Sequence, residues 1–513
     1  MNEALLRANA KIGKPLNVGV LSIDIPAVSR LKDSIFLNAL QKTVVDKPHL
    51  VFGNESKVLT AKKLSDVDLE CVIQDAPKVF SMEVLANEEM NSKIKSTLGW
   101  KIRVVQGKMW IKESVRVVSL YLCLTSEFHV LDGYSTSIVL KQYVSNMIDI
   151  INGKLSTSCF ENLHDIIVTP APIEKNIDTH FSAKYLLFSI WLAYQHFRKS
   201  AKTVFYGRPR KDIAKLEHYE LDQMKTESRF IALTPKELYA IQEEIKNTNL
   251  TTTSYLIAAL LTSYRGMMDA ITKKPAGIKN QSVFSSVFKI VPIAFMIALC
   301  SEFGVESTAW FTCLLIMMVF FYFPKLLKEP RIPNYQNFTV VLDRRIAEGA
   351  ASNTLGNYST VFSYFMHKHT KRSYFWDKVS SMKKFLSNCK KSIVCYEGIL
   401  KTIPNWIVDE YIHRAPPNYH RDYSFMLSYL GKEDWGELPV NDYFFGTNSI
   451  WTGNRHVMQL SACRFENRMN ILITYPSKLV ERYQVDIFVD SLRQVINNSI
   501  YDQKITVENT LNP

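Results

Sequence analysis

Residues 126–135 read SEFHVLDGYS, and they hold the one compact group of side chains in the chain that suits acid–base work. His129 is a histidine, the side-chain type whose unperturbed pKa lies near working pH. It can therefore strip a proton from an alcohol or amine as that group attacks an acyl carbon. Three residues on, Asp132 and Gly133 supply a carboxylate and a position of wide backbone freedom. No metal is expected: His367 and His369 lack a third ligand at a suitable spacing. There is no glycine-rich phosphate loop and no Gly-x-Ser-x-Gly elbow, which argues against kinase and hydrolase chemistry.

These residues must be positioned by the elements around them. The stretch WKIRVVQGKMWIKESVRVVSLYLCLT (100–125) alternates apolar and polar residues, is rich in β-branched ones, and predicts a hairpin with its turn at Gln106-Gly107. His129 then falls where a strand ends and a loop or helix begins. Upstream, NVGVLSIDI reads as a strand, and Leu31, Ile35, Leu37, Leu40 and Val44 approximate a helical face that ends before Pro48. TPAPIEKNID and FYGRPRKD read as connections, with an aromatic helical stretch, Lys184–Phe197, between them. Beyond residue 228 a second pattern starts. Thr234-Pro235-Lys236-Glu237 is a capping box, and SYLIAALLTSY a second helix. NFTVVLD, the helix-like YFWDKVSSMKKFLS, the hairpin RHVMQLSACRFENRMNILITY and the amphipathic YQVDIFVDSLRQVINN follow. Strands and helices alternate in both halves, so the fold class is α/β, or α+β layers.

At 513 residues and 47% hydrophobic content the chain can bury a large core. The formal net charge of +13 is spread over small clusters such as Arg208-Pro209-Arg210-Lys211. These read as solvated faces, as contacts for an anionic membrane, or as contacts for a nucleotide-bearing cosubstrate; no nucleic-acid recognition motif accompanies them. The 8 cysteines form no CxxC and the opening MNEALLRANAKIGK has no apolar core, so free thiols and no secretion signal are expected. Two apolar stretches, Val283–Cys300 and Ser307–Phe323, are separated by SEFGVES and flanked outside by basic residues. Each is near the lower length limit for a membrane span, which needs roughly 17–25 residues. The segment 283–323 reads as a membrane hairpin or re-entrant anchor with both ends cytosolic, or as buried helices of an enlarged core.

Five stretches in this order resemble the acyl-CoA-dependent acyltransferases built like chloramphenicol acetyltransferase and condensation domains, with the signature HHxxxDG. Within them the chain is most similar to the fungal alcohol O-acetyltransferases and their N-acetylating relatives. The stretches are DKPHL (46–50), FHVLDGYS, TPAPIEK (169–175), VVLDRRIAEG with TLGNYS, and SYLG (428–431) with FGTNS. Asp434-Trp435-Gly436 echoes a plant acyltransferase motif, but its neighbours do not match.

The resemblance implies two acyltransferase-like domains, 1–215 carrying the HVLDG motif and 216–513, with 283–323 as a hydrophobic insertion. It also implies a channel between the domains with the histidine at its middle. The expected activity is transfer of an acetyl group from acetyl-CoA, a cosubstrate with no resident cofactor, to a lipophilic alcohol or amino alcohol. The implied roles are general base for His129, oxyanion donor for Ser428, and a structural ion pair between Asp132 and Arg345, with Gly133 permitting the tight turn. The expected location is the cytoplasmic face of an intracellular membrane such as the endoplasmic reticulum. One departure matters. The family places three residues between histidine and Asp; here there are two, so either Phe128 holds the catalytic slot and the site is weakened or silent, or the turn is shorter and His129 serves. A silent member would act as a lipid- or partner-binding protein.

Overall fold

The computed structural model describes residues 15–26, 30–55, 58–61, 67, 70–77, 80–94, 98–155, 185–192, 225–272, 337–345, 353–365, 374–401, 423–449, 456–477, 479–501, 505–507 and 509–511. Residues 1–267 and 335–513 make one compact unit and 268–334 a second. The hydrophobic segment 283–323, the TPAPIEK stretch, and His367 and His369 lie outside the described residues. No helix among the described residues is long and apolar enough to cross a membrane.

Two sheets carry the first unit. One is built from β1 (Leu16–Pro26), β4 (Cys71–Asp75), β5 (Trp100–Lys112), β6 (Val115–Glu127) and β11 (Val440–Thr447), in the order β11-β1-β6-β5-β4. A separate hairpin pairs β2 (Phe52–Glu55) with β3 (Val58–Ala61). The second sheet runs β7-β13-β12-β10-β8-β9. Its strands are β7 (Thr226–Leu233), β8 (Asn337–Asp343), β9 (Ser359–Phe365), β10 (Tyr423–Glu433), β12 (His456–Phe465) and β13 (Arg468–Pro476). β10 lies parallel to both β8 and β12, and the latter pairing requires a crossover. That crossover is β11, which leaves the second sheet and pairs antiparallel with β1 in the first, from Asn17↔Thr447 to Ile23↔Val440. The C-terminal half thus supplies an edge strand to the N-terminal sheet. Gly446 makes this possible, since a Cβ there would lie 2.5 Å from the Leu472 side chain of β13.

The helices follow from amphipathic patterning. On one face of the first sheet, α1 (Asp33–Asp46) and α3 (Gly133–Ile151) bury Phe36, Leu40, Val44, Val139, Leu140, Tyr143 and Met147 against Leu122, Leu124 and Trp100. Full burial of each such apolar side chain contributes about 1.5–3 kcal/mol. On the other face, α2 (Met82–Met90) packs with Val18, Val20, Cys123, Phe444 and Leu472. Successive residues of β6 therefore serve different layers: Leu122 and Leu124 face α1 and α3, while Cys123 faces α2. In the second half, α4 (Pro235–Asn247) opens with the expected capping box, Thr234 and Glu237 satisfying each other's backbone N–H groups. α5 (Thr252–Thr272), α6 (Phe375–Lys401) and α7 (Arg482–Tyr501) complete this half.

The hairpin turn is a correction. β5 continues through Gln106-Gly107 with only a register shift, and the chain reverses at Glu113-Ser114, both with positive φ (49° and 69°). Gly107 marks close packing instead: a Cβ there would lie 2.8 Å from the Ser119 carbonyl oxygen.

Candidate active site

β6 ends at Glu127, residues 128–130 form a turn, and Asp132 caps α3. The backbone of this corner is pinned on both sides of His129. Glu127 N–H donates to the Gly99 carbonyl (2.7 Å), Phe128 N–H to Pro15 (2.9 Å), and Val130 N–H back to Glu127 (2.9 Å). The Asn17 amide holds the Leu131 carbonyl at 2.7 Å.

Asp132 has no capacity to spare for a proton-transfer role. Its Oδ1 accepts from Arg345 Nη2 (3.0 Å) and Ser135 N–H (2.7 Å). Its Oδ2 accepts from Arg345 Nη1 (3.0 Å) and Tyr358 N–H (3.0 Å). Arg345 is buried at 2% exposure and spends its remaining donors on Asp343, the Ser135 hydroxyl and the Thr354 carbonyl. Its cation lies over the rings of Tyr134 and Tyr358, 5.1 and 4.5 Å from their centroids. Burial works against the guanidinium charge, but Asp132 and Asp343 more than offset it and hold its pKa above the ordinary arginine value. The Ser135 hydroxyl donates to the Gly356 carbonyl (2.8 Å) and accepts from Gly356 N–H (3.1 Å). The segment between β8 and β9 is thereby stapled to the start of α3.

Gly133, the first residue of α3, lies where a Cβ would press on the Phe445 ring at 3.0 Å and approach Leu430 at 3.6 Å. Leu430 belongs to β10, two residues beyond Ser428. Ser428 is half-buried in mid-sheet, opposite Val341 of β8 and Ser461 of β12. Its hydroxyl makes no hydrogen bond among the described residues. The structure thus joins Asp132 and Arg345 in one network, packs Gly133 against Phe445, and places His129 in the turn after β6 and Ser428 on β10 of the other sheet.

His129 sits beside a carboxylate that motif reasoning passed over. Its Nδ1 is 3.4 Å from Oε2 of Glu127, with the imidazole 22% exposed and Glu127 buried at 4%. The signal in the sequence is a Glu two residues before the histidine at a strand end. Strand alternation puts Glu127 on the face of Cys123 and Thr125, the latter bonded to Glu89 of α2 (2.8 Å). Leu472 and Phe230 of the second sheet pack with Cys123 in the same cluster.

A cavity of about 580 Å³ lies along α2, the start of β7 and the end of β13, lined in part by Asn91, Lys225, Ser228, Tyr475, Ser477 and Arg482. No residue of the His129–Gly133 motif lines it.

The architecture and the corner together define a condensation-domain-like, chloramphenicol acetyltransferase-like fold. The chain is similar to the TRI3 trichothecene 15-O-acetyltransferase of Fusarium sporotrichioides, with a TM-score of 0.60 and 10% identity over 96% of this chain and 93% of that one. It is also similar to the condensation domain of the Monacolin K polyketide synthase MokA, with a TM-score of 0.52 and 9% identity over 99% and 97%. The first condensation domain of the calcium-dependent antibiotic synthetase gives 0.50 and 10% over 98% and 95%. No family model matches the chain, and no curated protein matches it in sequence.

Proposed function

We propose that this chain is an acyl-CoA-dependent acyltransferase that moves an acetyl group from acetyl-CoA to a lipophilic alcohol or amino alcohol. The observation that carries the reading is the division of labour at the corner. Asp132 is committed to Arg345, while the His129 imidazole, partly exposed, stands beside a buried carboxylate.

In this reading the tautomer that carries its proton on Nδ1, 3.4 Å from Glu127, is the one that works: Nε2 then accepts the acceptor's proton as its oxygen or nitrogen attacks the thioester carbonyl. The tetrahedral oxyanion then collapses, the C–S bond breaks, and the imidazolium returns the proton to the departing CoA thiolate. Ser428 is assigned to donate to the oxyanion. Glu127 is a positioning residue: it orients the ring and favours the imidazolium that forms in the step. No acyl-enzyme and no resident cofactor is needed.

The lipophilic acceptor and a location at the cytoplasmic face of an intracellular membrane such as the endoplasmic reticulum are inferred from the apolar segment 283–323. The kinship proposed is with the fungal alcohol O-acetyltransferases and their N-acetylating relatives.

A second reading is favoured by one observation: counted back from Asp132, the signature histidine falls on Phe128. In that reading the chain keeps the fold as a lipid- or partner-binding protein. Release of free thiol from acetyl-CoA by the detergent-solubilised protein, across a panel of fatty alcohols and sphingoid-like amines, separates the two. Acceptor-dependent turnover is expected, and the responding acceptors decide between O- and N-transfer. Binding of acceptors without thiol release contradicts the enzyme reading.

A further inference from the structure

The β5–β6 hairpin runs past the sheet that holds it. β4 pairs with β5 only as far as Gln106, and β1 pairs with β6 only from Val117. Residues 107–116 therefore form a two-stranded ribbon with no flanking strand among the described residues, closed by the Glu113-Ser114 turn. A solvated ribbon of this kind would be expected to carry polar side chains. This one carries Met109, Trp110, Ile111 and Val115, exposed at 41, 44, 68 and 50%. Interleaved with them are Lys108, Lys112 and Arg116 against a single acid, Glu113. Lys112 reaches back to Asp24 at 3.1 Å, and the Trp110 indole N–H donates to Ser119 at 2.9 Å, so the base of the ribbon is held in place.

We propose that this ribbon tip docks on an anionic lipid surface. Trp beside Lys and Arg is the pairing that sits at a bilayer interface: the ring and the aliphatic side chains enter the acyl boundary while the cations meet headgroup phosphates. Charge decides against a second copy of the chain as the occupant. Each tip carries three cations against Glu113, with Lys112 paired to Asp24, so its net charge stays positive and two tips repel one another; the whole chain carries a formal charge of +13, which an anionic leaflet attracts. The ribbon is distinct in sequence from the segment 283–323. The inference shares the membrane location proposed above and adds the surface that meets it; it does not depend on acyl transfer.

The test uses the full chain and vesicles of phosphatidylcholine, alone or mixed two to one with phosphatidylserine, and a parallel set with brominated acyl chains. Ile111→Ser is expected to weaken flotation with the phosphatidylserine vesicles roughly tenfold, the loss of one buried aliphatic side chain. Trp110→Phe is expected to remove part of the bromolipid quenching of tryptophan emission. This second readout reports the ribbon even where another segment holds the protein on the vesicle. Ile111 is exposed, and Phe keeps a ring at position 110 while giving up only the bond to Ser119, so both variants are expected to keep the fold, which circular dichroism checks. Unchanged affinity in Ile111→Ser together with unchanged quenching in Trp110→Phe overturns the proposal. So does a dimer lost in Ile111→Ser with no vesicle binding by the parent, and so does equal binding to both compositions. Thiol release from acetyl-CoA, measured on the same variants in detergent, reports the acyl-transfer reading separately.

Discussion

Removing the Asp132 carboxylate should unfold the corner without touching a reacting atom, and the size of the effect follows from its partners. The carboxylate accepts four hydrogen bonds, two from Arg345, one from Ser135 N–H as the N-cap of α3, and one from Tyr358 N–H. Asp132→Ala leaves the buried Arg345 cation with Asp343, which is 44% exposed, as its remaining acid. Breaking a buried pair by removing one partner costs about 3–5 kcal/mol, of which the cap alone accounts for about 1 kcal/mol. Asp132→Asn keeps an oxygen for Ser135 N–H, so it should recover about that cap contribution. Arg345→Met leaves Asp132 with its two backbone donors and should cost less than Asp132→Ala. The double variant Asp132→Ala/Arg345→Met removes both charges and should be less destabilised than the sum of the single changes by about 1–3 kcal/mol. Urea unfolding followed by circular dichroism at fixed pH, with the slope compared across variants, measures each value. Single changes costing under about 1 kcal/mol, or a strictly additive double variant, would refute the view that the pair is a buried strut.

Further outcomes follow from the same physics. Glu127→Gln should lower kcat about tenfold or more with KM little changed, because it removes the charge that orients and stabilises the imidazolium; equal kcat in both proteins contradicts a positioning role. Gly133→Ala places a methyl 3.0 Å from the Phe445 ring and should cost about 1–3 kcal/mol by overpacking; Gly133→Ala with Phe445→Leu should recover part of it in the same unfolding assay. Lys378 of α6 is wholly buried with Thr262 Oγ1 as its hydrogen-bond partner at 3.1 Å, and burial lowers its pKa to about 7. Its folded pKa lies below the unfolded one, so the unfolded state binds more protons above pH ~7, and stability rises with pH until the unfolded lysine itself titrates near ~10.4. Lys378→Met should therefore stabilise the protein at neutral pH, and the difference from the parent should shrink by about 3 kcal/mol between pH ~7 and ~9.5. A pH-independent difference would show that the lysine is not buried neutral.

Local signals in the sequence were good guides where local physics decides the outcome. The capping box at Thr234, the late hairpin and the strand end before His129 appear in the structure where their patterns place them. A helix forms at Asp33–Asp46, but its buried face is Phe36, Ala39, Leu40, Thr43 and Val44; of the expected face Leu40 and Val44 are buried in it, Ile35 and Leu37 are half-buried and Leu31 precedes the helix. The turn of the first hairpin was misplaced because Gly107 advertises a turn, whereas the chain reverses at Glu113-Ser114, residues that seldom adopt positive φ. The transfer of β11 to the other sheet was not legible, since VNDYFFGT reads as a strand and nothing local names its partner more than 400 residues away, at Asn17. Glu127 escaped notice for a related reason. A lone carboxylate on a strand is ordinary until the turn at 128–130 folds His129 back against it. The clasp of Gly356 and Tyr358 on Ser135 and Asp132 likewise depends on chain segments that meet only in the folded state.

The central claim is that the shortened motif presents its base. Acetyl-CoA thiol release with the best acceptor, measured for the parent, His129→Ala and Phe128→His, tests it most directly. The account predicts turnover in the parent and its loss by roughly a hundredfold or more in His129→Ala, the usual scale of a general base. A silent parent made active by Phe128→His would contradict it, placing the catalytic slot one residue earlier.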